Sequence, residues 1–372
     1  MTVRAYLDYA GFGRLRDGTR AAMRAALDDV LPHGSAEIGS LFAARPAARA
    51  TAAGLLGCGA DEVALVPNTS TGVHLVADGL DWRPGDEVVV FDGDFPANVA
   101  PWRRLQEHGV RLAWVPMRAG GYELADVAAA VGPSTRLVAV SHVNFATGFR
   151  IDLDAVCALA AEVGALVFVD AVQSLGVLPL SVARTPVDFL AAGAHKWLCG
   201  PAGTGIFYCR RSRLDLLRRV PSGWFGYTGA ADMLKLGPGH LRYDLPLRPG
   251  AARVEGGMYD VLGVVGLAAA LDELERVGIE AVSQRVRHLA QRLSAGLADL
   301  GRTLSAPAGD ASWSGIVSFV DRERDGTRIV KELVTRGIHV SLPDGKIRIS
   351  PHYWTTDAEV DAFLESVPLA GS

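Results

Sequence analysis

Two short apolar runs, each followed by polar residues, constrain the fold of this 372-residue chain more than any other feature. The first run ends at Asp170; the second, residues 187–192, is followed by His195, Lys196 and a loop rich in Gly and Pro. Short β-branched or aromatic runs bounded by turn residues are typical of strands in a mostly parallel sheet. Because the carboxyl ends of such strands converge on one crevice, we expect Asp170 and Lys196 to share a site.

Lysine is rare in this sequence, and one lysine has an unusually apolar setting. The 37 basic residues include four lysines, and of these only Lys196 lies between apolar runs. Burial lowers the pKa of a lysine and suits its amine to nucleophilic chemistry, including Schiff bases with pyridoxal phosphate (PLP). A PLP site also needs an acid at the pyridine nitrogen, which Asp170 can supply, and Gln173 could donate to the ring hydroxyl. The alternative is a plain Asp170–Lys196 ion pair.

The stretch EVALVPNTSTGVHLVADGL contains a candidate anion site. It predicts a strand over residues 63–66 and an amphipathic helix that begins near Val73. Hydroxyls and free backbone N–H groups at a helix start bind anions, because the unpaired amides and the helix dipole both favour negative charge. Combined with Lys196, the hydroxyl groups at this helix start therefore predict a phosphate cup. Taken alone, they could simply cap the helix.

The pairing of VDAVQSLG with AHKWLCGPAGTGIFY resembles the cofactor core of the class V aminotransferase superfamily of PLP enzymes. This superfamily includes cysteine desulfurases, kynureninases and isopenicillin-N-epimerase-like proteins, and the resemblance runs across nearly the whole chain. It implies an α/β fold of the PLP-dependent transferase type I, with a mostly parallel mixed sheet in a large domain. We expect an N-terminal segment (1–20) packed on the small domain, a large PLP-binding domain (21–250) and a small C-terminal α+β domain (251–372).

The resemblance also implies roles for individual residues. Phe95, in the DFPANV run, would stack on one face of the cofactor, although it could also be an ordinary core residue. Arg348, in KIRISPHYW, would bind the substrate α-carboxylate with two hydrogen bonds, a match that lysine could not reproduce. Asn144 and Trp224 would contact the substrate beside Arg348. The full set of expected cofactor contacts is Thr69, Ser70, Phe95, Asn144, Asp170, Gln173, His195 and Lys196.

The chain departs from the family pattern at two positions. Met258 stands where family members often carry a threonine that reaches the cofactor phosphate of the partner subunit. That contact is therefore absent, supplied by a backbone amide, or taken over by Thr228 or Tyr259. Ala194 stands where many relatives have a serine. The resemblance still implies a homodimer with a shared active site.

The expected reaction acts on an amino-acid-like small molecule. By resemblance it proceeds through an external aldimine, and Lys196 removes the Cα proton. Transamination, epimerisation, β-elimination of a sulfur group or kynureninase-type hydrolysis could follow. Residues 306–350 contain no cysteine, which disfavours persulfide-forming desulfurases and leaves a C–S lyase open. We therefore expect a β-eliminating lyase or an epimerase of specialised metabolism. The alternatives are an aminotransferase, a kynureninase-like hydrolase and a non-catalytic protein of the same fold.

Composition narrows the partners and the compartment. The formal charge of −4 and the lack of a basic tract argue against nucleic acid as a partner. No apolar run of about 20 residues predicts a membrane span, and the first residues do not resemble a signal peptide. The four cysteines have neither metal-site spacing nor the density of a disulfide scaffold. They predict reduced thiols in a cytoplasmic protein without a bound metal.

Overall fold

The computed structural model describes residues 3–220, 223–234, 236–307 and 309–367. Its strands are β1 (Ala5–Tyr6), β2 (Val63–Val66), β3 (Glu87–Phe91), β4 (Arg111–Val115), β5 (Thr135–Ser141), β6 (Leu166–Asp170), β7 (Phe189–Gly193), β8 (Gly205–Cys209), β9 (Val317–Phe319), β10 (Ile338–His339) and β11 (Ile347–Ile349). Its α-helices are α1 (Asp17–Ala25), α2 (Ala44–Leu56), α3 (Thr69–Gly79), α4 (Ala100–Arg104), α5 (Leu124–Ala130), α6 (Leu153–Glu162), α7 (Val261–Val277), α8 (Ile279–Asp299), α9 (Gly326–Thr335) and α10 (Asp357–Leu364).

Seven strands form the central sheet, in the order β2-β8-β7-β6-β5-β3-β4. The strand β8 runs antiparallel to both of its neighbours, and the other pairs are parallel. The predicted α/β fold with a mostly parallel mixed sheet is thereby confirmed. Among the residues described, no helix combines the length and the apolar character needed to cross a bilayer.

Alternate residues of the central strands enter two different hydrophobic cores. In β6, Val167 and Val169 pack into one core, and Leu166 and Phe168 pack into the other. This alternation follows from the two-residue period of a strand. Because helices cover both faces of the sheet, the inner positions of its central strands are apolar on both sides, as is typical of parallel sheets. The helix α7 packs into the first core.

A third core joins the two ends of the chain. The strand β1 pairs in parallel with β10, and β9 pairs antiparallel with β11. Leu7 of the N-terminal segment packs in this core with residues of α8, α9 and α10. The arrangement supports our proposal of a small C-terminal domain on which the first residues pack.

The helix α3 begins at Thr69, four residues before the predicted start. The earlier start has a local cause, because the Asn68 side chain caps the helix by accepting a hydrogen bond from the Thr71 N–H at 2.9 Å. At Gly72 the helix lies so close to β7 that an added Cβ would collide with the Cβ of Ala191. Glycine at this position therefore lets the first turn of α3 approach the carboxyl end of β7.

Candidate active site

A cavity of about 370 Å³ lies beyond the carboxyl ends of β6 and β7. Its wall combines the start of α3, the turn after β3, the loop after β5 and the strand β11. The structure brings together in this wall most of the residues predicted from the sequence, namely Thr69, Ser70, Phe95, Asp170, His195, Lys196 and Arg348.

Asp170 and Lys196 form the electrostatic centre of the cavity. Burial raises the pKa of Asp170 to about 7, against the opposing effects of the Val172 N–H, which donates to its Oδ1 at 2.9 Å, and of Lys196. Burial lowers the pKa of Lys196 to about 8, and here Asp170 opposes the shift. Both groups can therefore gain or lose a proton near neutral pH, which structural ion pairs at a protein surface rarely do. This favours the PLP interpretation over the plain ion pair.

The first turn of α3 provides the anion site. Its N–H groups at Thr69 and Ser70 have no carbonyl to donate to within the helix. The Thr69 hydroxyl accepts a hydrogen bond from the Gly193 N–H at 2.9 Å, which ties the helix start to β7. The His195 ring lies beside Gly193, and burial lowers the pKa of this imidazole. A phosphate held here would meet neutral donors and the positive end of the helix dipole.

Phe95 gives the cavity a flat apolar wall. The residue is 41% exposed, and its ring meets the Phe145 ring edge-on, with the ring centres 5.1 Å apart. The Lys196 Nζ lies 5.5 Å from the centre of the Phe95 ring. An aromatic side chain exposed within a cavity offers a face for stacking, so its placement fits the predicted contact with a planar cofactor better than an ordinary core position.

Arg348 projects from β11 into the cavity wall and is 5% exposed. Its Nε donates to Ser341 Oγ at 3.0 Å, its Nη1 to the Phe145 carbonyl at 2.8 Å and its Nη2 to Asp8 Oδ1 at 3.1 Å. Each nitrogen is therefore anchored by a different acceptor. The guanidinium is held in one orientation and does not point to solvent.

Asn144, predicted to contact the cofactor or the substrate, does not line the cavity. It is 1% exposed, and its Nδ2 donates to the Gly93 carbonyl at 3.0 Å and to Tyr122 Oη at 3.2 Å. Its Oδ1 accepts from the Ala146 and Thr147 N–H groups, both at 3.0 Å. Both amide protons are used, so the side chain shapes the loop that presents the Phe145 carbonyl. The signal was present in the sequence, because asparagine commonly bonds the backbone two or three residues ahead.

Gln173 and Trp224 also lie outside the cavity wall. Gln173 is 2% exposed; its Oε1 accepts from Trp197 Nε1 at 2.9 Å, and its Nε2 donates to the Ala10 carbonyl at 3.1 Å. One amide N–H of Gln173 remains for the predicted contact with a ring hydroxyl. Trp224 packs against the Phe225 ring, with the ring centres 4.1 Å apart, in a short 3₁₀ helix at residues 224–226. Within one chain it does not reach the predicted substrate pocket.

The N-terminal segment also contributes residues to the cavity wall. Ala10 and Gly11 line the cavity. The Gly13 N–H donates to the His195 carbonyl at 2.6 Å, and a Cβ at Gly13 would collide with the carbonyl oxygen of Lys196. The first residues of the chain therefore lie directly against the lysine loop. No local pattern reveals this contact, because it joins segments more than 180 residues apart.

Comparison with known proteins supports the same interpretation. The family model described as aminotransferase class-V matches residues 40–363. A probable cysteine desulfurase of Methanothermobacter thermautotrophicus is 30% identical over 338 residues, which cover 86% of this chain and 82% of that protein. Isopenicillin N epimerase of Streptomyces clavuligerus is 29% identical over 334 residues, with 86% and 83% covered.

Solved structures show the same likeness in three dimensions. The cystine C–S lyase C-DES in complex with its reaction product cysteine persulfide superimposes with a TM-score of 0.87 at 27% identity, covering 98% of this chain and 97% of that chain. A mutant of C-DES that carries glycine covalently linked to its PLP cofactor gives the same TM-score and identity, with 99% and 96% covered.

Proposed function

Because the chain belongs to the class V aminotransferase family and is a PLP-dependent enzyme, we propose that it is a C–S lyase acting on an amino acid. The substrate would carry a sulfur group on its β-carbon. The observation that carries the proposal is that one cavity holds Lys196, Asp170 and Arg348, while no cysteine lines it among the residues described. This combination can remove the Cα proton of an amino acid but offers no thiolate to receive sulfur.

The cavity residues fit PLP. Asp170 would face the pyridine nitrogen, Phe95 would cover one ring face, and the first turn of α3 together with His195 would hold the phosphate. When bound, PLP accepts the electron pair that a proton leaves behind at the substrate Cα. The orphan N–H groups of α3 and the buried carboxyl of Asp170 are the two features of this chain that most favour such a ligand.

Each of three side chains has a distinct role in the proposed reaction. Arg348 binds the α-carboxylate, which fixes the direction of the Cα–H bond. The lowered pKa of Lys196 supplies a neutral amine near pH 7 to 8, and this amine takes the Cα proton. Burial of Asp170 favours a proton shared with the pyridine nitrogen, because an isolated buried carboxylate is unfavourable.

The sulfur group leaves without being transferred to the protein. The segment between β10 and β11 closes the cavity with Pro343 and contains no cysteine. Cys199, three residues after Lys196, is buried, and burial raises the pKa of its thiol far above neutrality. In the overall reaction the Cα–H and Cβ–S bonds break, the sulfur departs as a thiol or persulfide, and water converts the remaining enamine to pyruvate and ammonia. With cystine the departing group is cysteine persulfide.

The likeness to an epimerase supports a second candidate. Epimerisation requires a proton donor on the face of Cα opposite to the base. In the described part of the cavity wall, the titratable side chains are Asp170, His195, Lys196 and Arg348, and each already has a role. The wall therefore favours elimination. We also propose that the enzyme is a cytoplasmic homodimer and acts in specialised metabolism.

Product analysis tests the proposal. The holoenzyme is incubated with cystine, S-ethylcysteine, alanine and kynurenine, and pyruvate, ammonia, thiol and persulfide are measured together. We expect pyruvate and a sulfur product in equal amounts from the sulfur-containing substrates, and the same yield from a variant in which all four cysteines are serine. Release of an oxo acid with the amino group retained on the cofactor would show an aminotransferase. Inversion at Cα without pyruvate would show an epimerase.

A further inference from the structure

The hydrogen bonds of Arg348 leave one specific pair of its N–H groups available. A guanidinium has five N–H donors, one on Nε and two on each terminal nitrogen. Ser341, the Phe145 carbonyl and Asp8 take one N–H from Nε, Nη1 and Nη2, respectively. One N–H therefore remains on each terminal nitrogen. Two such donors suffice for one carboxylate bound end-on, and none remain for a second anion.

Asp8 and Ser341 form a closed set of hydrogen bonds with Arg348. The Ser341 hydroxyl accepts from Nε and donates to Asp8 Oδ1 at 2.7 Å, and the same oxygen accepts from Nη2. An isolated β-bridge also joins the backbones of Ser341 and Arg348. The Arg348 side chain is 6% exposed and that of Asp8 is 23% exposed, so solvent screens this ion pair only partly. The set fixes both the orientation of the guanidinium and its local charge.

The charge of Asp8 also acts on the rest of the cavity. Arg348 and Lys196 are the cationic side chains in the described wall, and burial lowers the pKa of the neighbouring His195. Among the weaker influences on the pKa of Lys196, Arg348 lowers it and Asp8 raises it. Asp8 therefore offsets the positive charge of Arg348 within the site. A ligand with one carboxylate balances the charge, whereas Asp8 would repel a second carboxylate unless the ligand itself carries a cation beside it.

We propose that Asp8 and Ser341 are positioning residues that present the end-on pair of Arg348 N–H groups, and that the charge of Asp8 selects against substrates with a second carboxylate that no neighbouring ammonium balances. The proposal rests on the role of Arg348 in the proposed function. It adds a substrate class, the amino acids whose side chains carry no unbalanced carboxylate, and assigns the discrimination between substrates to Asp8, 340 positions from Arg348 in the chain.

Two variants separate orientation from charge. Ser341→Ala removes the acceptor for Nε and keeps every charge. We expect KM for S-ethylcysteine to rise about tenfold, which corresponds to one lost hydrogen bond to a charged group. The kcat should stay within about twofold of wild type. Ser341→Thr restores the hydroxyl and should restore KM.

Asp8→Asn keeps an acceptor oxygen but removes the charge. It should raise kcat/KM for S-(carboxymethyl)cysteine relative to S-ethylcysteine by about tenfold or more.

A control variant and a binding assay complete the test. Asp344→Asn removes an exposed carboxylate that pairs with Lys346 beside Pro343, and we expect both substrates to be unaffected. Calorimetry on the PLP-loaded full chain, with propionate and succinate as probes, gives the same selectivity without turnover. Wild type should prefer propionate, and Asp8→Asn should lose that preference.

The outcomes are distinct from those of the lyase test. If no substrate is turned over but the propionate preference depends on Asp8, the proposed reaction is wrong and the positioning proposal stands. An unchanged KM in Ser341→Ala would overturn the orienting role. An unchanged preference in Asp8→Asn, by kinetics and by calorimetry, would overturn the charge role.

Discussion

Asp170 ends β6, Lys196 follows the end of the neighbouring parallel strand β7, and each opposes the effect of burial on the pKa of the other. Burial alone would neutralise both groups by moving one proton from the lysine to the aspartate. The Val172 N–H bonded to Asp170 and the attraction between the two charged groups limit the shifts, so the two pKa values remain near neutrality, at about 7 and about 8. A site of this kind can exchange protons at physiological pH.

Replacement of the lysine tests the covalent attachment of the cofactor. We expect Lys196→Ala to abolish turnover and to remove the visible absorbance of the lysine-bound cofactor, because no other lysine lines the described cavity wall. The fold should be retained, since the substitution removes a largely buried amine whose charge is unfavourable there. Absorbance spectroscopy and a thermal melt measure the two effects. An unchanged spectrum in a folded variant would contradict the assignment.

The raised pKa of Asp170 makes the stability of the cofactor-free protein depend on pH. A carboxyl with a raised pKa contributes its full stability below its unfolded pKa of about 3.9, and this contribution is lost as the pH rises through about 7. Asp170→Asn cannot ionise. We therefore expect its free energy of unfolding to match wild type near pH 4 and to exceed it increasingly up to pH 7, by about 1.4 kcal/mol for each unit of the pKa shift. Urea unfolding across this pH range measures the difference; a pH-independent difference would contradict the shift.

Substitution of the arginine by lysine tests bidentate binding of the α-carboxylate. Arg348→Lys keeps the positive charge but cannot present two parallel N–H groups while also reaching Ser341 and Asp8. We expect KM to rise by about 10- to 100-fold with a smaller change in kcat, because binding is lost in both the ground state and the transition state. Arg292→Lys, at a partly exposed arginine paired with Asp361, is the matched control and should leave both constants unchanged. Equal kinetics for Arg348→Lys and wild type would show a structural role.

The saturated hydrogen bonds of Asn144 predict a structural defect. Asn144→Ala removes the donors to Gly93 and Tyr122 and the acceptor of the loop after β5. We expect the free energy of unfolding to fall by about 2–4 kcal/mol, since several buried partners lose their hydrogen bonds together. KM should also rise, because the Phe145 carbonyl that holds Arg348 is no longer fixed. Chemical unfolding and steady-state kinetics measure these effects. A stable variant with impaired cofactor binding would instead support the direct contact predicted from the sequence.

Exposed apolar side chains lead to a prediction of the oligomeric state. We expect a homodimer whose active site borrows residues from the partner chain, because the segment around residues 233–258 exposes large apolar side chains, among them Leu234 at 67% and Met258 at 61%. Sedimentation velocity of the holoenzyme measures the assembly. Leu234→Glu should weaken it and reduce turnover together. A monomer with full turnover would contradict the shared site.

The local sequence determines the parts of the site that depend on one element at a time. The strand ends at Asp170 and before Lys196 follow from short apolar runs, and parallel strands must bring their carboxyl ends together. Thr69 and Ser70 follow from a strand that turns into a helix. The helix boundary was less predictable, because its start depends on whether the Asn68 side chain turns back to cap it.

Only the tertiary structure decides which side chains are left free to act. Asn144 matches a ligand by its place in the sequence, yet its loop uses every hydrogen-bonding group that it has. Arg348 and Asp8 form an ion pair although they are 340 residues apart in the chain, and no local sequence pattern around either residue predicts this pair. The strands and the helix start follow from short-range backbone preferences and the period of apolar residues. The pairing of remote polar groups follows from how the packed layers close around them, which no short stretch of sequence contains.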